Sequence, residues 1–392
     1  MGSIAQIVPS GISFPIRTQS LSAKQEYPFV WFAGDECEVP QTKVLVAGVG
    51  GDGCNTVEQM QNTAPSSLDF IAIDTDYMSL ERLTIESKLL LGKQTAKSIG
   101  SGGNPDLGRA AAEEASEEWA DRIADYGMVV IVAGMGGGTG SGAAAHLSKV
   151  AKEMNVLTVA VVSSPFEYEG AQKAESAKKG IAKLCSSADS IIVIPNDRLF
   201  SLSDQLTYYE ALKLRDDQLA RIIRSVTDLA LRPSRMSIDF GSIRAVIEDG
   251  GMMVVAQASA SGEGVVDELL EQLLHRNLID HPPMDAAQAV LLVTTLGYKV
   301  TASEDSELKS RIARVVSPMA KVFCGTRLEK GAGDSVTVTL IATHFDELAE
   351  PQAEVIELER VFTIEQINNA GPSHRIYTPS YLRLKSASEG NN

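Results

Sequence analysis

The sequence predicts an α/β protein: a parallel sheet covered by helices, then a long central helix, then a smaller second α/β unit. Three observations carry this. Short apolar runs at 44–47, 68–73, 128–133, 157–162 and 191–195 alternate with helix-like stretches such as 109–123 and 142–154, the pattern of buried parallel strands joined by crossover helices. From Asp204 to Leu231 apolar residues recur at helical spacing (Leu212, Leu219, Ile222, Ile223, Val226, Leu229, Ala230) until Pro233, which cannot continue a helix. Beyond it, strands are expected at 252–257, 289–295 and 335–343, with helices near 267–275 and 308–319.

Taken in order, residues 1–42 carry Pro9, Pro15, Pro28 and Pro40 without periodicity and read as a flexible N-terminal extension. Residues 43–205 form the sheet unit, with helix expected from Asn55 onward in its first crossover; 206–231 form the central helix and 232–346 the second unit. Residues 347–373 are acidic and polar, a linker, and 374–392 regain apolar and basic character as a tail peptide.

Composition narrows the function. The 392 residues are 44% hydrophobic and 22% charged, ordinary for a soluble globular chain and without the roughly 20-residue apolar run of a membrane span. Four scattered cysteines form no CxxC pair, so a reducing cytoplasm is expected, and no secretory or myristoylation signal is visible at the N-terminus. A formal charge of −16 argues against nucleic acid as a partner, since that affinity rests on neutralising phosphates. Any bound anion must be held locally, as backbone N–H groups at helix starts do.

Two glycine clusters follow strands. Gly48–Asn55 matches GxGxxG, and Asp74 closes the next strand where a dinucleotide fold places its ribose-binding acid. An NAD-type site therefore stands as one reading and a plain tight turn as another. The second cluster, Gly134 to Gly142, has six glycines in nine positions with Thr139 and Ser141 among them. Glycine weakens local structure through backbone entropy, so something must approach this backbone closely. Paired glycine loops at helix starts suit phosphates, and no Walker-type P-loop is present.

Gly136–Gly142 reads Gly-Gly-Gly-Thr-Gly-Ser-Gly, and with the stretches 48–55, 70–76, 102–109, 165–170 and 194–199 the chain resembles the tubulin/FtsZ family over residues 43–346. The resemblance implies a GTP-binding domain at 43–205 with GTP or GDP as ligand, Mg2+ beside it, and head-to-tail assembly of identical subunits. By motif it assigns phosphate contact to Gly51, Asp52, Gly53, Cys54 and Asn55 and to Gly136, Gly137, Gly138, Thr139 and Gly140. Glu169 takes the place of a ribose-contacting acid, Lys173 stands where the family usually has Arg, and Asn196 matches a nucleotide-contacting Asn. In Asp216-Asp217-Gln218-Leu219, Asp217 stands where the family's acid meets the base. A carboxylate there accepts from guanine N1–H and the exocyclic amine, a donor pair adenine lacks.

The family's catalytic loop enters the next subunit's nucleotide site with two carboxylates. Here Ser237-Ile238-Asp239-Phe240-Gly241-Ser242 keeps the first as Asp239 and replaces the second by Ser242, so slow hydrolysis is expected. A non-hydrolysing filament former or accessory subunit is the alternative, and an NAD-dependent dehydrogenase a distant third. The segment Tyr377–Lys385 resembles the family's tail peptide, which implies docking to membrane-tethering division proteins at the division site, without insertion of this chain into the membrane.

Overall fold

The computed structural model describes residues 42–61, 67–197, 208–231, 238–262, 264–275 and 284–345. The expected extension up to residue 41, the linker and the tail lie outside the described residues, as does Ser237.

Strands β1 (Val44–Val49), β2 (Leu68–Asp74), β3 (Lys88–Leu90), β4 (Met128–Gly134), β5 (Leu157–Ser164), β6 (Ser190–Pro195) and β7 (Gly251–Met252) form a parallel sheet in the order β3-β2-β1-β4-β5-β6-β7. Both faces are covered, so the strands are apolar throughout and successive residues feed opposite cores. Val44, Val46, Val130 and Val132 face α1 (Gly50–Gln61) and the long α7 (Tyr208–Leu231). Leu45, Ala47, Val129 and Ile131 face α3 (Pro105–Glu114), α4 (Ser116–Ile123), α5 (Gly138–Glu153) and α6 (Ala171–Ser187). A short α2 (Tyr77–Glu81) follows β2.

The stretch expected as one helix over 109–123 is two, because the backbone leaves helical geometry at Ala115 (φ −100°, ψ 11°). Both glycine clusters also behave differently from expectation: α1 starts at Gly50 rather than Asn55, and α5 at Gly138 rather than residue 142. What reads in sequence as loop is largely first helical turn.

The expected strand over 252–257 is divided at Met253. β7 pairs with β6 of the first sheet, and β8 (Val254–Ser261) opens a second. That second sheet runs β10-β9-β11-β8, with β9 (Ala287–Gly297) parallel to β10 (Lys321–Glu329) and antiparallel to β11 (Ser335–Phe345). β10 escapes the sequence pattern because it is an edge strand, largely exposed and without alternation. The preceding helix, α10 (Ala302–Ala313), begins earlier than the expected residue 308, at a Thr301–Glu304 capping box.

α9 (Val265–His275) and α10 cover one face of this sheet. The other face meets α7 and α8 (Phe240–Ile247) in the core they share with the first sheet: Leu219, Ile223, Val226, Ile243 and Val246 cluster with Leu291 and Ile341. The central helix is thus amphipathic on two sides, which explains its unbroken apolar recurrence.

Candidate functional site

β1 and β4 are neighbours in the sheet, so the helices that follow them start side by side. Between them lies a cavity of about 150 Å³ reached by Gly51, Asp52, Gly137, Thr139, Gly140 and Lys173. A larger cavity of about 840 Å³ lies between α7 and the second sheet, but the helix starts converge on the smaller one. The α5 N-terminus has no side-chain cap, which leaves first-turn N–H groups and the positive end of the helix dipole to an anion.

The glycines divide into two kinds. A Cβ added at Gly53 would strike the Val132 carbonyl, at Gly138 the Ser101 hydroxyl, at Gly140 the Gly134 carbonyl and at Gly142 the Pro105 carbonyl. At Gly51 and Gly137 a Cβ would meet nothing within 4 Å. The close approach that the glycine content demands is thus mostly protein on protein: it draws helix onto strand and leaves open space beside Gly51 and Gly137. Gly136, at φ +98°, makes the turn into α5, its N–H donating to Ser141 Oγ at 2.7 Å.

Beneath the cavity lies a buried hydroxyl cluster. Thr139 Oγ1 is 2.7 Å from Thr75 Oγ1 and 3.1 Å from Ser101 Oγ. Thr75 N–H donates to Asp74 Oδ1 at 2.6 Å.

Around the rim, Lys173 Nζ bonds Glu169 Oε1 at 2.6 Å, and Glu169 Oε2 accepts from the Phe166 N–H. Arg215, buried on α7, lies 3.6 Å from Asp52 and 2.9 Å from Asp216. Burial pushes the Asp216 carboxyl up while Arg215 works against it. The sequence reading missed Arg215 and Asp216 here; their place depends on how α7 turns against α1, which no motif signals.

The remaining sequence candidates disperse. Asn55 is exposed on α1. Cys54 turns into the core, its Sγ donating to the Gly48 and Ile73 carbonyls, and its thiol is pushed up to about 12, chiefly by burial. Asn196 is buried at the end of β6 with no hydrogen-bond partner for its Oδ1. Asp217 borders the larger cavity, where it accepts from Gln59 Nε2 at 2.7 Å.

Asp239 and Ser242 lie at the other edge of the sheet. The glycine turns follow the C-terminal ends of β1 and β4, whereas Phe240 lies against Gly127, just before β4 begins. Asp239 caps α8: its Oδ1 accepts from both the N–H and the hydroxyl of Ser242 at 2.7 Å, and these bonds hold its carboxyl below the usual range. Ser242 therefore spends its proton on Asp239.

Arg244 fastens α8 to the turn after α5, donating to Asn155 Oδ1 and to the Asn155 carbonyl at 3.1 and 3.0 Å. Lys152 on α5 bridges Asp249 and the buried Asp189. α5 thus begins at the cavity and ends at the anchor of α8.

Residues 43–204 match the family described as "Tubulin/FtsZ family, GTPase domain", and residues 251–346 match "FtsZ family, C-terminal domain". Cell division protein FtsZ 1 of Pyrococcus abyssi is 34% identical over 303 residues, 77% of this chain and 81% of the relative. Cell division protein FtsZ of Pseudomonas putida is 36% identical over 321 residues, 81% of each. Among solved structures, an empty FtsZ dimer of M. jannaschii superposes with TM-score 0.70 at 30% identity over 77% of this chain and 88% of that one. A GTPgS-bound protofilament of CetZ2 from Haloferax volcanii shares the fold at TM-score 0.67 and 20% identity, over 78% and 94% of the two chains.

Proposed function

This chain belongs to the tubulin/FtsZ family of GTPases, whose members matched here are cell division proteins, and on that premise we propose that it binds GTP or GDP at the paired glycine turns, polymerises head-to-tail and hydrolyses GTP slowly between subunits. The cradle fits a polyphosphate: two adjacent helix starts, an α5 N-terminus without a side-chain cap, and open space beside Gly51 and Gly137. Around the rim, Asp52, Glu169 and Asp216 face Lys173 and Arg215, three carboxylates against two cations. Side-chain charge therefore does not carry the affinity, and Mg2+ held by the phosphates themselves would offset the excess. Among the described residues no group of three or more His, Cys, Asp or Glu side chains could hold a metal.

One observation carries the assembly reading. Asp239 and the cradle occupy opposite edges of a sheet whose central strand β4 has seven residues, roughly 20 Å at about 3.3 Å per residue. A subunit's own carboxylate is out of reach of its own phosphates, whereas stacking one copy on the next brings Asp239 to a neighbour's cradle. There it would orient the attacking water and polarise it; phosphoryl transfer depends on such positioning. Because the Ser242 hydroxyl is already donated to Asp239, a single carboxylate serves that water, which is why the rate is read as slow.

Asp217 is the proposed reader of the guanine edge, released from Gln59 when the base arrives. The tail 374–392, outside the described residues, is the proposed docking peptide for a membrane tether at the division site; no described helix is long and apolar enough to cross a membrane.

Phosphate release measured against protein concentration tests the assembly reading. A threshold followed by a more than linear rise is expected, and a rate per subunit independent of concentration would refute it. The Ser242 position also favours the second reading, a filament former that does not hydrolyse. Sedimentation with GTP and with a non-hydrolysable analogue separates the two, since only a GTPase filament disassembles as GTP is consumed.

A further inference from the structure

Asp74 is the acid that the dinucleotide reading assigns to a ribose, and the structure turns it away from any such role. It closes β2, is 5% exposed, and its Oδ1 accepts the N–H groups of Thr75 and Asp76 at 2.6 and 3.4 Å. The Thr139 hydroxyl reaches this carboxylate through Thr75. Thr139 belongs to the first turn of α5 and borders the cavity, while Thr75 Oγ1, 2.7 Å from Thr139 Oγ1, lies 3.5 Å from the same carboxylate oxygen.

We propose that Asp74 is a positioning residue that withholds the Thr139 hydroxyl proton from a bound polyphosphate, so that the nucleotide is held chiefly by backbone N–H groups and released readily. This rests on the reading that a nucleotide occupies the cradle, and it concerns how tightly.

A threonine hydroxyl has one proton. While Asp74 is ionised it draws the Thr75 proton across 3.5 Å, which leaves the Thr75 oxygen to accept the Thr139 proton at 2.7 Å. In that arrangement the Ser101 hydroxyl, 3.1 Å away, can donate to the Thr139 oxygen. The cavity then meets oxygen lone pairs, which repel phosphate oxygens, and a buried negative charge lies beneath them.

The titratable groups acting on Asp74 are Cys54 from α1, whose thiol stays neutral, and Asp76 from its own turn; neither is a cation that would offset the charge. Burial accordingly pushes the Asp74 carboxyl up. A polyphosphate above it favours the protonated form further, so binding takes up a proton and affinity falls as pH rises through the Asp74 titration.

Asp74→Asn keeps an acceptor for the Thr75 N–H and removes the charge that draws the Thr75 proton, freeing the Thr139 proton for the phosphate. GDP titrated into the full-length protein should bind about tenfold tighter in Asp74→Asn at neutral pH, the size of one added hydrogen bond to a charged group, with a flatter dependence on pH than in the unaltered protein. Thr139→Val should cost less than about twofold in the unaltered background and remove the gain in the Asn background, a non-additivity that mere structural damage would not produce.

If Asp74→Asn does not fold, Thr139→Val alone decides: a loss under about twofold supports the proposal and a loss of tenfold or more overturns it. Unchanged or weaker GDP binding by folded Asp74→Asn, or an equal cost of Thr139→Val in both backgrounds, would also overturn it while leaving nucleotide binding intact. Failure of the unaltered protein to bind GDP at all would remove the nucleotide reading and this proposal together.

Discussion

The two ends of the first sheet are built on opposite terms. At the C-terminal edge the cradle is assembled from backbone, locked by glycines whose missing Cβ atoms let helix, strand and turn touch, and floored by hydroxyls that are almost fully buried. At the N-terminal edge Asp239 is an exposed side chain on one helical cap, held by Ser242 and, through α8, by Arg244. On the proposed reading the cradle grips a nucleotide in every subunit, and it is preorganised inside one fold. On the proposed reading Asp239 acts only when a second copy arrives, and it stays on the surface, anchored from behind. α5 joins the two, with the cradle at its first turn, Lys152 in its last turn bonded to Asp249 just after α8, and Asn155 just beyond it bonded to Arg244 of α8.

The largest effect that would sharpen this contrast lies at the exposed end. Asp239→Asn should lower assembly-dependent phosphate release by about 10² to 10⁴ and leave GTP affinity within about twofold, as read by nucleotide titration; a matching loss of affinity would mean the two ends are not separable. Ser242→Asp, which restores a second carboxylate, should speed phosphate release and shorten filament lifetime, and an unchanged rate would remove position 242 from the mechanism.

Next comes the packed end. Gly53→Ala should destabilise the fold by about 1 to 3 kcal/mol, because the Val132 carbonyl must move, whereas Gly51→Ala should leave the melting temperature unchanged. Equal melting temperatures would show that the cradle glycines do not lock the fold.

Arg244→Ala tests the connection between the ends. It should cut phosphate release several-fold at unchanged GTP affinity, with partial rescue by Arg244→Lys; loss of binding instead would point to general unfolding.

The smallest effect concerns His146, on the buried side of α5. Its ring lies 2.7 Å from Ser116 Oγ, and burial holds its pKa below the usual histidine range. The unfolded chain then takes up a proton more readily than the folded one, so stability present near pH 7 should decline as pH falls through the ordinary histidine pKa toward the lower folded value. Thermal melts of the unaltered protein and of His146→Gln across that window should diverge; parallel curves would remove His146 from the acid response.

Much of the fold was legible because the central strands of the first sheet bury both faces. Val44 to Val49 or Met128 to Ala133 must be apolar without interruption, and that survives in any linear reading. β10, exposed and unpatterned, and the division at Met253, where one apolar run serves two sheets, were not legible, since edge position and change of sheet are tertiary facts. The candidate site was legible in its backbone and less so in its side chains. Gly51 and Gly137 could be picked out by motif, while Arg215 and Asp216 at Asp52 could not, because the rotation of α7 against α1 decides which of several charged residues faces the cradle.

The sequence by itself determined most of the alternation of strands and helices in the first sheet and the two glycine turns, because these depend only on local composition and spacing. Tertiary structure alone decided which glycines meet protein and which meet open space, that Asp74 turns inward beneath Thr139, that Ser242 gives its proton to Asp239, and that Asp239 lies at the edge opposite the cradle. Those outcomes depend on distances between segments far apart in the chain, and only the packing of helices on both faces of a parallel sheet sets such distances.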